Sequence, residues 1–328
     1  MNYLYGILAL TLLGCAARSV TDTDAPAAVL PLAYQLTDWP APAAAARMGQ
    51  PVGVGILGDG TVAVFHRGLS DPAPYVADDA VQFIHPDSGE PLASWGGGFF
   101  IRPHGMHVDA DEHIWLTDIA RHQVFKFTRD GRLLLTLGEE GIAGADSAHF
   151  DQPTDVAVGP RGNIFVTDGY GNRRVVKFAP DGRYLTQWGR EGSAAGEFIN
   201  PHAIDISAEG QLYVSDRENN RVQVFDTYGT FKKAYALPAA TYAAVHDAST
   251  DLLYVTDYRV IGDTVVIGSD VYTLNERARA ATSLVGRAGP QVQRKGSKPC
   301  RYHDLAIDTG GNLYLPDLTN RIVVKYVD

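Results

Sequence analysis

Cysteine is scarce in this 328-residue chain, with only Cys15 and Cys300 present. That count excludes zinc fingers, cysteine-ligated clusters and a disulfide-stapled fold. Methionine is scarcer than a helical protein would carry, at three, and Ala/Leu/Glu/Lys runs of helical spacing are few. With 34 glycines and 16 tyrosines the composition leans towards all-β. Positive charge is short as well. The 28 Lys and Arg face 38 Asp and Glu, for a formal net charge of −10. A basic nucleic-acid groove is therefore excluded as the main business, and no nucleic-acid partner is expected. The apolar run from Leu4 to Leu13 is too short for a membrane span. What remains is a chain of 45% hydrophobic residues, enough for a large core, and ten histidines from which a metal site could be built.

The apolar run ends in Leu12-Leu13-Gly14-Cys15, which resembles a bacterial lipobox, although Met1-Asn2-Tyr3 carries no Lys or Arg. The expected organisation is a lipoprotein signal peptide over 1–15, a flexible tether over 16–30 and a folded domain over 31–328. Cys15 would be lipidated, leaving Cys300 alone and no intramolecular disulfide. The expected location is the bacterial periplasm or cell surface, with membrane contact through the anchor only. A monomer is expected.

A repeat organises the rest. Trp115-Leu116-Thr117-Asp118, Phe165-Val166-Thr167-Asp168, Tyr213-Val214-Ser215-Asp216, Tyr254-Val255-Thr256-Asp257 and Tyr314-Leu315-Pro316-Asp317 are apolar strands ending in Asp. The aspartates recur at intervals of 50, 48, 41 and 60 residues, and a sixth, degenerate copy ends in Phe65-His66. Each unit alternates with period two and holds four short strands separated by Gly turns. Those features predict a six-bladed β-propeller of four-stranded, NHL-like blades. The last unit stops one strand short. Residues near Tyr34-Gln35-Leu36 are expected to supply that strand and close the ring.

In such a ring the start of each innermost strand and the loop after each second strand meet at one channel mouth. The first position holds His104, His202 and His303 in blades two, four and six. Imidazoles on alternate blades converge near the axis, giving three nitrogen ligands and an open fourth position, as a catalytic zinc requires. His66, His85, His107, His113, His122, His149 and His246 fall outside this register. The second position places Arg67, Tyr170 and Arg217 on the same rim. A tyrosine beside a metal and an arginine can act as a general base with a lowered phenol pKa. Two guanidiniums suit a carboxylate-bearing substrate. The repeated aspartates are expected to cap loops by accepting backbone N–H groups.

Pro103-His104-Gly105, Asp168-Gly169-Tyr170, Gln187-Trp188-Gly189, Pro201-His202, Asp216-Arg217-Glu218-Asn219, Phe65-His66-Arg67-Gly68 and His303-Asp304 together resemble the peptidyl-α-hydroxyglycine α-amidating lyase family. The resemblance covers roughly residues 50 to 328 and is weakest in blade five. It implies zinc on His104, His202 and His303, Tyr170 as general base, and Arg67 and Arg217 as active-site arginines. It also implies a structural calcium held by the carbonyls of Val54 and Met106 and the side chain of Asp304; oxygen ligands of that kind suit calcium. The implied reaction cleaves the C–N bond of a peptidyl-α-hydroxyglycine to an amide and glyoxylate.

The sequence departs from that pattern in places. The positions matching the animal members' two disulfides hold Gly171, Phe150-Asp151, Tyr213 and Val224, and a family methionine is replaced by Arg301. Arg301 is a third cation near the metal and is expected to alter substrate preference. The chain would depend on another protein for the hydroxylated substrate, or act on a different α-hydroxyamide-like substrate. The repeat taken alone also fits a non-catalytic propeller that binds a protein or glycan at the cell surface. A calcium-dependent lactonase-type hydrolase shares the fold, but the three-histidine axis argues against it.

Overall fold

The computed structural model describes residues 34–69, 75–261, 265–269, 271–275, 284–288 and 298–327. The signal, tether and Cys15 readings lie outside the described residues. Each blade is an antiparallel sheet, and in blades one to five the strands run outward in chain order. Blade one comprises Pro51–Ile56, Val62–His66, Val81–Ile84 and Pro91–Trp95; blade two Pro103–Val108, Ile114–Asp118, Gln123–Phe127 and Leu133–Leu137. Blade three comprises Asp155–Val158, Ile164–Asp168, Arg174–Phe178 and Tyr184–Trp188; blade four Pro201–Ile206, Leu212–Asp216, Arg221–Phe225 and Phe231–Ala236. Blade five holds Ala240–Asp247, Leu252–Ile261, Val271–Asn275 and Leu284–Ala288, and the overlong second strand also pairs with Val265–Gly268. Blade six holds Ala306–Ile307, Leu313–Asp317 and Ile322–Val327. Its outermost strand is Gln35–Leu36, with Gln35 opposite Val327 and Leu36 opposite Tyr326. The early strand therefore closes the ring as its shortfall predicted, and the edge of the last blade is covered. The six-bladed β-propeller expected from the repeat is what the chain forms.

The core lies between blades. Phe65 of blade one packs in one cluster with Leu116 and Phe125 of blade two, all buried. Burying each such side chain contributes about 2 kcal/mol. Indoles bridge neighbouring blades. Trp95 packs with its ring centroid 4.9 Å from that of Phe127 and donates its indole N–H to the Arg129 carbonyl. The turn beneath it needs glycine: Gly131 has φ +87°, and a Cβ there would meet Trp95 at 2.8 Å. Gly229 repeats this under Trp188.

Near the start of four of the six innermost strands the register slips. The ladder skips a residue between Pro51 and Gly53, Pro103 and Met106, Pro201 and Ala203, and Thr241 and Ala243. Such a bulge re-aims the skipped side chain. The skipped residues include Val52, His104, His202 and Tyr242, so a bulge presents two of the three axial histidines and two of their neighbours.

Candidate metal centre and active site

The three in-register histidines meet. Their ring centroids lie 4.6 Å (His104–His303), 4.9 Å (His202–His303) and 5.0 Å (His104–His202) apart. One potential ligand atom from each lies within 4.8 Å of the others. All three side chains are buried.

Each imidazole is oriented by the next blade. Nδ1 of His104 donates to the Thr154 carbonyl at 2.7 Å, that of His202 to the Tyr242 carbonyl at 2.8 Å, and that of His303 to the Val52 carbonyl at 2.7 Å. Thr154, Tyr242 and Val52 are the equivalents of the histidines in the odd blades. Even blades thus supply rings and odd blades supply carbonyls. Because the Nδ1–H is spent on a carbonyl, the lone pair sits on Nε2. Burial holds all three imidazoles well below the ordinary histidine pKa, so they are neutral. Nε2 of His202 is buried without a hydrogen-bond partner. A buried orphan lone pair is costly unless something occupies it. The donor set, its neutrality and that orphan atom fit a three-nitrogen metal site, and zinc is the cation such a set suits.

Tyr170 lies against this cluster. Its hydroxyl is 2.8 Å from Nε2 of His104 and accepts from Nη1 of Arg217 at 3.3 Å. Burial pushes the Tyr170 phenol above its ordinary pKa, while Arg217 and Arg67 pull the other way. The lowered phenol expected from these neighbours is therefore not met by the arginines alone, since desolvation outweighs them. Arg217 also pairs with Glu218 at 2.6 Å rather than with Asp216. Arg67 donates Nε to the Pro103 carbonyl at 3.1 Å. Burial, then Arg102 and Arg301, hold its guanidinium down at about 10. These groups line a cavity of about 680 Å³ above His303.

The repeated aspartates are the scaffold beneath the mouth. Asp118 accepts the backbone N–H groups of Ile101, Arg102, Ala120 and Arg121. Asp317 accepts those of Arg301, Thr319 and Asn320. In blade one His66 takes the role, with Nδ1 accepting the N–H groups of Gly49 and Gly68. Each cap ties the loop after the second strand to the residues just before the bulge.

Deeper in the channel, Val54, Met106 and Asp304 line one cavity with Asp155 and Asp205. Asp304 accepts the Val54 N–H at 2.9 Å. N–H and C=O of one strand residue point the same way, so the Val54 carbonyl faces the channel too. Burial pushes the Asp304 carboxyl up to about 7. Carboxylate and carbonyl oxygens here suit a hard cation.

Four polar or aromatic contributors to the mouth were not assigned to it from sequence. Tyr242 occupies the histidine position of blade five and packs 5.0 Å from His202; aligning Thr241-Tyr242-Ala243 with the other bulges would have found it. Arg102 and Gln152 line the cavity, two residues before His104 and Thr154, and so does His122, which falls outside the histidine register. The disulfide positions are brought together without cysteine. Tyr213 stands opposite Val224, and a Cβ on Gly171 would meet Asp151 at 2.0 Å. Cys300 is buried and free.

Fold and site define a six-bladed β-propeller with a three-histidine cluster on its axis. A family description, "6-bladed beta-propeller", matches residues 142–264. Within that class the chain is related to proteins named for peptide amidation. It is 40% identical over 203 residues to a peptidylglycine alpha-amidating monooxygenase of Rattus norvegicus, covering 55% of this chain and 21% of that one. It is 32% identical over 269 residues to peptidyl-alpha-hydroxyglycine alpha-amidating lyase 1 of Drosophila melanogaster, covering 77% and 49%. The chain thus spans about a fifth of the first and half of the second. Among solved structures, a virginiamycin B lyase from Staphylococcus aureus shares the fold with a TM-score of 0.53 at 17% identity, over 90% of this chain and 88% of that one. The resemblance read from the motifs is borne out by relatives that carry the name of a carbon–nitrogen lyase.

Proposed function

We propose that the chain is a zinc-dependent lyase that cleaves a peptidyl-α-hydroxyglycine, or a similar α-hydroxyamide, to an amide and glyoxylate. The observation that carries the reading is the set of three neutral imidazoles, each fixed by a carbonyl of the next blade, with Tyr170 against them. His104, His202 and His303 would hold the zinc, which supplies Lewis acidity towards the substrate's hydroxyl or carboxylate oxygens. Arg67 and Arg217 hold the substrate carboxylate through forked hydrogen bonds. Tyr170 takes the hydroxyl proton as general base, and Arg217 and Arg67 stabilise the phenolate. The aldehyde forms as the C–N electrons move to the amide nitrogen, which receives the proton back. Proton and electrons then balance, with no oxidant required. Val54, Met106 and Asp304 would hold a structural calcium. Residues 1–15 and 16–30 would serve as lipoprotein signal and tether with lipid on Cys15, which Cys15→Ala and radiolabelled palmitate would test.

The activity is read by glyoxylate release from α-hydroxyhippurate. Zinc-loaded protein should produce it. Tyr170→Phe should lower kcat by about 10²–10⁴-fold with zinc retained. A folded, zinc-loaded protein that releases no glyoxylate would sink the reading and leave the binding-module alternative.

A further inference from the structure

We propose that the cavity selects a substrate with a second anionic group near its hydroxyglycine, an Asp or Glu side chain, held by Arg301 and Arg102. The inference rests on the lyase reading and narrows its substrate class. Four guanidiniums line one cavity: Arg67, Arg102, Arg217 and Arg301. Among the described residues the only carboxylate ion-paired to any of them is Glu218, on Arg217. One substrate carboxylate would therefore leave two positive charges unmatched. Like charges around one cavity repel, and an anion entering it is favoured.

Arg301 is built in rather than dangling. Its guanidinium lies 5.2 Å from the Tyr242 ring centroid and 5.0 Å from that of Tyr258. Its Nε and Nη2 both donate to the Tyr242 hydroxyl. That fixes the fork and leaves Nη1 uncommitted. Arg102 is its repeat equivalent: each stands two residues before a cluster histidine, with its backbone N–H on its blade's capping aspartate. Arg102 has no side-chain hydrogen bond or ion pair among the described residues, and its side chain is exposed. Two cations at equivalent positions, both unpaired by any carboxylate, form a site beyond the pair assigned to the α-carboxylate.

The test compares three synthetic substrates with zinc-loaded full chain: N-acetyl-Glu-, N-acetyl-Gln- and N-acetyl-Lys-α-hydroxyglycine. The expected order of kcat/KM is Glu, Gln, Lys, with Glu above Gln by about tenfold at low salt and the gap closing as salt rises. Arg301→Met and Arg102→Gln should each shrink the Glu-to-Gln ratio, mainly through KM, with melting temperature and zinc content checked in parallel. Equal kcat/KM for the three substrates overturns the proposal and leaves the lyase reading standing. So does an acid preference that survives in both folded variants. No glyoxylate from any of the three overturns the lyase reading itself.

Discussion

The capping aspartates should be worth several kilocalories each, and Asp216 gives the sharpest test. Its side chain is buried and fully committed. One oxygen accepts the N–H groups of Ile199 at 3.0 Å and Asn200 at 3.2 Å. The other accepts from Asn219 at 2.7 Å, Arg221 at 2.9 Å and Gln223 at 3.3 Å. In Asp216→Ala the Asn200 N–H stays buried without a partner, at about 1–3 kcal/mol. Arg221 loses its ion pair but keeps the Ser193, Ala194 and Glu197 carbonyls, which limits that loss. The expected destabilisation is about 3–5 kcal/mol, in the range for breaking one side of a buried charge pair. Equilibrium urea unfolding at unchanged m-value measures it. Asp130→Ala, on an exposed turn, is the control and should leave the midpoint in place. A loss below about 1 kcal/mol for Asp216→Ala would refute the reasoning, because it would mean that these donors find water or other partners without cost.

Two further outcomes follow from named contacts. Burial lowers the His66 pKa to about 4, against the pull of Asp78 and Asp79. The unfolded chain therefore takes up a proton near pH 6.5 that the folded chain refuses until about pH 4. Stability is lost as pH falls through that window, by about 3 kcal/mol from this group. In urea titrations His66→Gln should lose less between pH 7 and pH 4 than the parent; equal losses would contradict this. Gly105 is the second case. A Cβ there would meet Asp155 Oδ1 at 2.4 Å and the Thr154 carbonyl at 2.6 Å. Gly105→Ala must displace the carbonyl that orients His104, and zinc affinity by chelator competition should fall about 10–100-fold. Unchanged affinity would show that the carbonyl does not orient the ligand.

The sequence carried the features that repeat and missed those that depend on the closed ring. Strand alternation, the Asp at each second strand and the in-register histidines are periodic, so they were legible before any coordinates. The strand Gln35–Leu36 was legible because a missing fourth strand leaves an edge. The carbonyls of Val52, Thr154 and Tyr242 were not, because a backbone acceptor has no residue signature. Tyr242 hides in the shortest repeat interval, and the extended hairpin of blade five lies in the longest. The direction of the Tyr170 shift was missed for another reason. The charges around it can be counted from sequence, but the depth of burial that outweighs them cannot. His66 looked like a degenerate copy, yet its ring does the aspartate's work with a neutral nitrogen.

The proposed lyase chemistry depends on one zinc held by the three axial imidazoles. Elemental analysis of the purified full chain and of His202→Ala, with melting temperature checked in parallel, tests it most directly. One zinc per parent chain is expected, with its loss in the folded variant. A parent chain without stoichiometric zinc, or a variant that keeps it, would rule the three-histidine zinc site out.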